Sequence, residues 1–197
     1  MADAGRVIAG TARSIRLDAP GAGTRPLGDR VKQTLFAVLD PDLPGARFLD
    51  LFAGSGAGGI EALSRGASHV AFVEHDAGAA RVIVANLART HRGDADRVTV
   101  VRQDVVGWLR DPERDREPPW DAVLLDPPYG EPALLERALD AVGRLLVPDG
   151  RAVAKHFWRE VPPDQVGLLA SERARRFGET ALTFYRRTAT ATHTEDQ

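Results

Sequence analysis

The 197-residue chain contains no cysteine, so disulfides and thiolate metal sites are both excluded. No apolar run approaches the ~20 residues a membrane span requires, and no membrane partner is expected. The opening residues Met1-Ala2-Asp3-Ala4-Gly5-Arg6 lack the basic and apolar regions of a signal peptide, which makes a cytoplasmic location the expectation. The five histidines, His69, His75, His91, His156 and His193, show no paired ligand spacing, so neither a metal nor a nucleophilic triad is expected. No internal repeat is visible. Charge of one sign is also lacking: the net of −2 argues against a non-specific nucleic-acid binder but leaves room for a local basic patch.

What is present is ordinary in bulk, with 43% hydrophobic and 27% charged residues, as befits one globular domain with a short extension. A monomer is expected. Residues 1–32 carry six cations, Arg6, Arg13, Arg16, Arg25, Arg30 and Lys32, against Asp3, Asp18 and Asp29. That excess marks where a polyanion would dock. Residues 1–28 are broken by Gly10, Pro20, Gly21, Gly23, Pro26 and Gly28, with Val7-Ile8-Ala9 and Ser14 to Leu17 positioned to pair as a hairpin and 18–28 as a loop. A helix is expected from Asp29 as N-cap, with Val31, Leu35, Val38 and Leu39 on one face, ended by Pro41 and Pro44.

From residue 46 strands and helices alternate. The pattern predicts strands at Phe48 to Phe52, Val70 to Glu74, Val98 to Val101, Ala122 to Asp126 and Ala152 to Lys155. Helices are predicted near 57–65, 77–90, 104–110 and 131–146. Such alternation implies a parallel sheet wrapped on both faces. Arg173 to Phe177 and Ala181 to Arg187, joined by Gly178-Glu179-Thr180, read as a terminal antiparallel hairpin. Residues 111–119 form a charged loop, and 188–197 a disordered tail.

Two constellations carry chemistry. Asp50-Leu51-Phe52-Ala53-Gly54-Ser55-Gly56 joins a strand to a helix, where glycines let a backbone approach a ligand. Glu74 falls 20 residues after Gly54, an offset that also suits a dinucleotide site, so a nicotinamide oxidoreductase fits the spacing alone. Asp50 argues otherwise, since a carboxylate there repels pyrophosphate and favours a ligand carrying ammonium and sulfonium charges. S-adenosylmethionine is such a ligand. Glu74, followed by His75, would then bind the ribose. Asp104, followed by Val105, would accept from the adenine amine or else cap a helix.

The second constellation is Asp126-Pro127-Pro128-Tyr129, directly after the apolar run Ala122 to Leu125. The prolines fix φ and remove backbone donors, leaving carbonyls free to accept. An exocyclic amine is a poor nucleophile. Acceptors at the Asp126 carboxylate and the Pro127 carbonyl would favour a pyramidal nitrogen, while Tyr129 stacks on the base. The rate would come mainly from positioning.

Together these residues resemble class I S-adenosylmethionine-dependent amino-methyltransferases. More narrowly, the chain is similar to the RsmD family, which methylates the N2 amine of a guanine in 16S ribosomal RNA. The narrower likeness rests on Arg6-Val7-Ile8-Ala9-Gly10, on Arg25-Pro26 with Asp29 to Phe36, on Leu51 to Ala67 and on Phe184-Tyr185-Arg186-Arg187. It implies a doubly wound, seven-stranded, mostly parallel sheet with an N-terminal β extension over residues 1–28 and a methyltransferase domain over 29–187. It also implies a flipped guanine in the Asp-Pro-Pro-Tyr pocket, with Arg25, Asp29, Arg30 and Lys32 on the RNA side. The expected partner is 16S rRNA or the 30S subunit. There are two departures. The hairpin reads Arg13-Ser14-Ile15-Arg16-Leu17, one glycine and one basic residue short of the family's pattern, and Lys155-His156 stands where relatives commonly carry an acid. An adenine-N6 DNA methyltransferase and a non-catalytic ribosome-assembly factor are the alternatives.

Overall fold

The computed structural model describes residues 2–21 and 27–188, so Arg25 and, Thr188 aside, the tail expected to be disordered lie outside the described residues. The described chain runs β1 (Ala2–Arg6), β2 (Arg16–Ala19), α1 (Asp29–Leu39), β3 (Arg47–Leu51), α2 (Ala57–Ser64), β4 (His69–Glu74), α3 (Ala77–Arg89), β5 (Val98–Arg102), α4 (Val105–Arg110) and β6 (Trp120–Leu125). It continues through α5 (Pro132–Val142), β7 (Leu146–Phe157), β8 (Gln165–Val166), β9 (Leu169–Phe177) and β10 (Thr180–Arg187). The main sheet has the order β5-β4-β3-β6-β7-β10-β9-β8. Its first five strands are parallel and the last three antiparallel. The expected sheet is therefore present, with the two-residue β8 added at one edge.

The central strands read as continuous apolar runs because both faces are covered. On one face α1, α2 and α3 pack Leu35, Phe36, Ile60 and Ile83 against Phe48, Phe72 and Leu182. On the other, α4 and α5 pack Trp108, Leu109, Leu139 and Val142 against Leu49, Val73, Val123 and Tyr185. Successive strands are added on one side of β3 as far as β5 and on its other side from β6 onward, and this switch between the parallel neighbours β3 and β6 opens a crevice beyond their carboxyl ends.

The N-terminal hairpin is displaced from its expected place. β1 pairs with β2 as Ala2↔Ala19 and Arg6↔Arg16, and of the expected Val7 to Ala9 only Val7 joins the pairing, donating to Ile15 O at 2.9 Å and accepting from Ser14 N at 2.8 Å. The reason is tertiary: Ile8 and Ala9 donate their backbone N–H groups to the two oxygens of Glu61 on α2 at 2.7 and 3.0 Å. The Ser64 hydroxyl donates to Ala9 O at 2.6 Å and accepts from Ala12 N at 2.9 Å. Gly10 is required here, since with φ +79° a Cβ would stand 1.8 Å from Ser64 O. Asn86 of α3, fully buried, accepts from Asp18 N and donates to the carbonyls of Asp18 and Ser55, each at 2.9 Å. The extension thus shares the core of the main domain, burying Ala4, Val7, Ala12 and Leu17 there.

Other boundaries move slightly. Gly28, not Asp29, is the N-cap of α1, and Asp29 occupies its first turn. The helix expected over 131–146 ends at Val142 with one 3₁₀ turn, and β7 begins at Leu146. β9 starts four residues before the expected Arg173.

Candidate active site

A cavity of about 570 Å³ lies over the crevice, within the range typical of ligand sites. Its floor is the β3 end and the following loop, Asp50 and Phe52 to Ser55. One side is Glu74, His75 and Asp76. The opposite side is Asp126 to Tyr129 with Lys155, and Ala4, Ala19, Pro20 and Leu27 form its roof. Both sequence constellations therefore meet in one cavity, lined also by the N-terminal extension, which is expected only on the RNA side.

The loop geometry explains its residues. Gly54 and Gly56 take φ of 54° and 75°, and Gly56 is the left-handed N-cap of α2. Gly56 does not line the cavity; a Cβ there would meet Ile83 and Phe72 at 3.2 and 3.3 Å. Phe52 also has a positive φ of 59°, a strained conformation for a side-chain-bearing residue of the kind that collects at functional sites. Glu74 braces this turn, accepting from Gly54 N at 2.9 Å and Asp76 N at 2.8 Å. The exposed His75 contacts the same carboxylate at 3.1 Å.

Asp50 is 2% exposed and accepts from Gly59 N at 2.7 Å. Burial pushes its carboxyl well above the usual carboxylate range; the Gly59 bond opposes this, and the charges of Asp126 and Glu74 reinforce it. The cavity therefore contains an acid whose ionisation burial opposes.

Asp126 sits one residue past β6, its N–H bonded to Leu51 O at 3.2 Å. Its Oδ1 accepts from Lys155 Nζ at 2.6 Å, and about 20% of its side chain stays accessible through the cavity. Burial raises its pKa while the Lys155 charge and hydrogen bond hold it down. Lys155 Nζ also lies 5.2 Å above the ring of Tyr129, whose hydroxyl shares a 2.6 Å hydrogen bond with Thr180 Oγ1. Pro127 is buried and Pro128 exposed at the cavity wall.

Lys155, to which the sequence assigns no role, completes the Asp126 side of the cavity. A signal was available: the chain has only two lysines among its 26 Lys and Arg residues, and this one ends an apolar strand. His156 turns the other way, bonding Thr183 Oγ1 and Phe157 O at 2.8 and 2.9 Å, a structural role.

Several expected residues stand apart. Asp104 caps α4 by accepting from Gly107 N at 2.8 Å, and neither it nor the buried Val105 lines the cavity. Lys32 is a correction to the expected RNA face, because it is fully buried and bonds Arg6 O, with burial lowering its pKa. It fastens the extension to α1. Arg6 pairs with Asp29 at 3.1 Å and Arg16 with Asp3 at 2.7 Å, whereas Arg13 and Arg30 are exposed.

The donor set suits a cationic ligand. Among the described residues that line the cavity, Asp50, Glu74, Asp76 and Asp126 stand against one lysine, Lys155, which is itself bound to Asp126, so a pyrophosphate would meet mainly carboxylates there.

Comparison with known proteins points the same way. A family model described as "Conserved hypothetical protein 95" matches residues 5–186. The Bacillus subtilis protein "Putative rRNA methyltransferase YlbH" is 36% identical over 193 residues, covering 92% of this chain and 98% of the relative. "Ribosomal RNA small subunit methyltransferase D" of Escherichia coli K12 is 38% identical over 136 residues, 68% of this chain and 65% of the relative. The solved structure "Putative methyltransferase yhhF from Escherichia coli" superposes with a TM-score of 0.79 at 31% identity, covering 94% of this chain and 98% of that one.

Proposed function

We propose that this chain, which belongs to the conserved hypothetical protein 95 (RsmD) family of rRNA methyltransferases, transfers a methyl group from S-adenosylmethionine to the exocyclic N2 amine of a guanine in 16S rRNA. The observation that carries the reading is the Asp126–Lys155 pair, set across one cavity from Asp50 and the glycine loop.

S-adenosylmethionine, when bound, supplies an electrophilic methyl on a sulfonium. Asp50 and Glu74 stabilise a cationic ligand on one side, and a positive charge near Asp50 offsets the cost of ionising its buried carboxyl. On the other side the amine protons have two acceptors, the Asp126 carboxylate and the Pro127 carbonyl. Among the described residues Lys155 engages only Oδ1 of Asp126, which leaves Oδ2 to the amine. The charge and hydrogen bond of Lys155 oppose the effect of burial and favour the ionised form of Asp126, the stronger acceptor. After transfer, the nitrogen's extra proton passes to Asp126 or to solvent. The gain comes from orientation, since positioned reactants spare the entropy of encounter.

The substrate is the 30S subunit or an assembly intermediate, because a chain of net charge −2 needs shape and partner contacts beyond a local basic patch. The test is transfer of labelled methyl groups to 30S subunits lacking the modification, followed by nucleoside identification. N2-methylguanosine is expected, and Asp126→Ala should abolish its formation while keeping S-adenosylmethionine binding. N6-methyladenosine, or unchanged turnover in the variant, would refute the assignment. Equal rates on naked rRNA would refute the substrate state.

A further inference from the structure

We infer that a second face of the active-site rim, Trp158 clamped between Arg159 and Arg176 at the end of the β9–β10 hairpin, is a docking ledge for the single-stranded RNA that flanks the target nucleotide. The inference rests on the methyl-transfer reading and extends it to a surface absent from the N-terminal basic segment.

An aromatic series leads out of the cavity. The Tyr129 and Phe157 ring centroids are 6.2 Å apart at 50°, and Phe157 and Trp158 are 6.3 Å apart at 56°. At its outer end the Arg176 guanidinium lies 3.5 Å from the Trp158 ring centroid and that of Arg159 lies 4.7 Å away. The hairpin is joined to the Asp126–Tyr129 turn by the Tyr129–Thr180 hydrogen bond and to the end of β7 by Trp158 N donating to Glu179 O at 3.0 Å. The exposed Arg173 and Arg175 follow on the same strand.

These arginines differ from two of those near the N-terminus. Arg6 and Arg16 are neutralised by Asp29 and Asp3. Near the hairpin turn, Arg176 Nε donates to Gly178 O at 2.8 Å and Arg175 to Ala174 O at 3.5 Å, both backbone carbonyls. Of the acids nearby, Glu172 pairs with Arg186 at 2.6 Å and Glu160 accepts from Gly130 N at 3.3 Å, while the exposed Glu179 lies on the hairpin turn itself. A guanidinium stacked on an indole keeps its edge N–H groups for a phosphate and has little rotamer freedom left to lose. A base delivered into a pocket drags its neighbours past the rim, and rings interleaved with fixed cations are how single strands are held without sequence readout.

Arginines on an edge strand could also serve only to prevent strand pairing, since β9 is covered by β8 only at Leu169 and Ala170. Charge reversal separates the two roles, because glutamate guards an edge as well as arginine does but repels phosphate.

The test uses the full chain with S-adenosylhomocysteine and a fluorescein-labelled single-stranded RNA, its anisotropy followed across a salt series. R159E/R176E should weaken binding at least tenfold and reduce the slope of log affinity against log salt by about 1.4, from ~0.7 per phosphate for single strands. W158A should weaken binding in the same direction, and both variants should raise KM for RNA while S-adenosylhomocysteine affinity stays unchanged. The charge-matched control R110E/R137E, on α4 and α5, should bind like the unaltered protein. If R159E/R176E keeps its RNA affinity, or loses no more than the control, the ledge is refuted and methyl transfer stands. If R159E/R176E binds the RNA normally but loses only the 30S subunit, the surface faces a ribosomal protein and the inference is likewise overturned. An unaltered protein that binds no single-stranded RNA overturns the ledge and leaves methyl transfer to the 30S subunit standing.

Discussion

Replacing Lys155 with methionine isolates what the buried cation does for Asp126. The side chain keeps its length and apolar stem but loses the ammonium 2.6 Å from Oδ1. Burial already raises the Asp126 pKa, and the charge and hydrogen bond of Lys155 are the influences that lower it. Deleting a charged hydrogen bond of this kind costs about 1.5–3 kcal/mol, or roughly 1–2 pH units of the carboxyl's titration. The acidic limb of the kcat profile, which follows ionisation of the acceptor, should therefore move to higher pH by about that amount, with a plateau approached on the alkaline side. Stability has a defined sign as well. A folded carboxyl with a raised pKa binds its proton more tightly than the unfolded chain does, so stability falls as pH rises from 3.8 through the folded value. In Lys155→Met that fall extends further. The variant should therefore be most destabilised near pH 8, by about 3 kcal/mol, the low end for a broken buried pair because a fifth of Asp126 is accessible, and less at pH 5. Urea melts at both pH values and a kcat profile under saturating substrates measure these quantities. An unmoved acidic limb would refute the claim that Lys155 governs Asp126.

Two more perturbations probe the cofactor side and the roof. Asp50→Asn removes a carboxyl whose ionisation burial opposes, so above pH 3.8 it should raise the melting temperature of the ligand-free protein, about 2–4 °C per kcal/mol, with the gain vanishing toward pH 4. The same variant should lose S-adenosylmethionine binding by calorimetry, and unaltered affinity would remove Asp50 from the site. Gly10→Ala forces a Cβ against Ser64 O and should cost about 1–3 kcal/mol. Because the N-terminal hairpin roofs the cavity, the variant should also be cleaved faster by protease within residues 1–21 and bind S-adenosylmethionine less tightly; a roof that stays protected would show the contact to be dispensable.

The alternation of apolar runs with amphipathic helices was legible because strand and helix periods differ and each buries a defined face. The two site motifs were legible because glycines, prolines and a strand-end aspartate are local backbone devices, fixed within a few residues. The N-terminal register was not. It depends on Glu61 and Ser64, more than 50 residues away, taking the N–H groups that a hairpin would otherwise pair. Asp104 shows the converse: its cap on Gly107 is local, yet its expected ligand contact needed a third dimension.

By itself, then, the sequence determined an α/β chain with a glycine loop after one strand and an Asp-Pro-Pro-Tyr turn after another. Only the tertiary structure decided that these turns face one cavity, that residues 2–21 close over it, and that Lys155 rather than an acid stands beside Asp126. The physical reason is that backbone conformation is set by neighbours in the chain, whereas the charge state of a buried carboxylate is set by whatever the fold brings within a few ångströms.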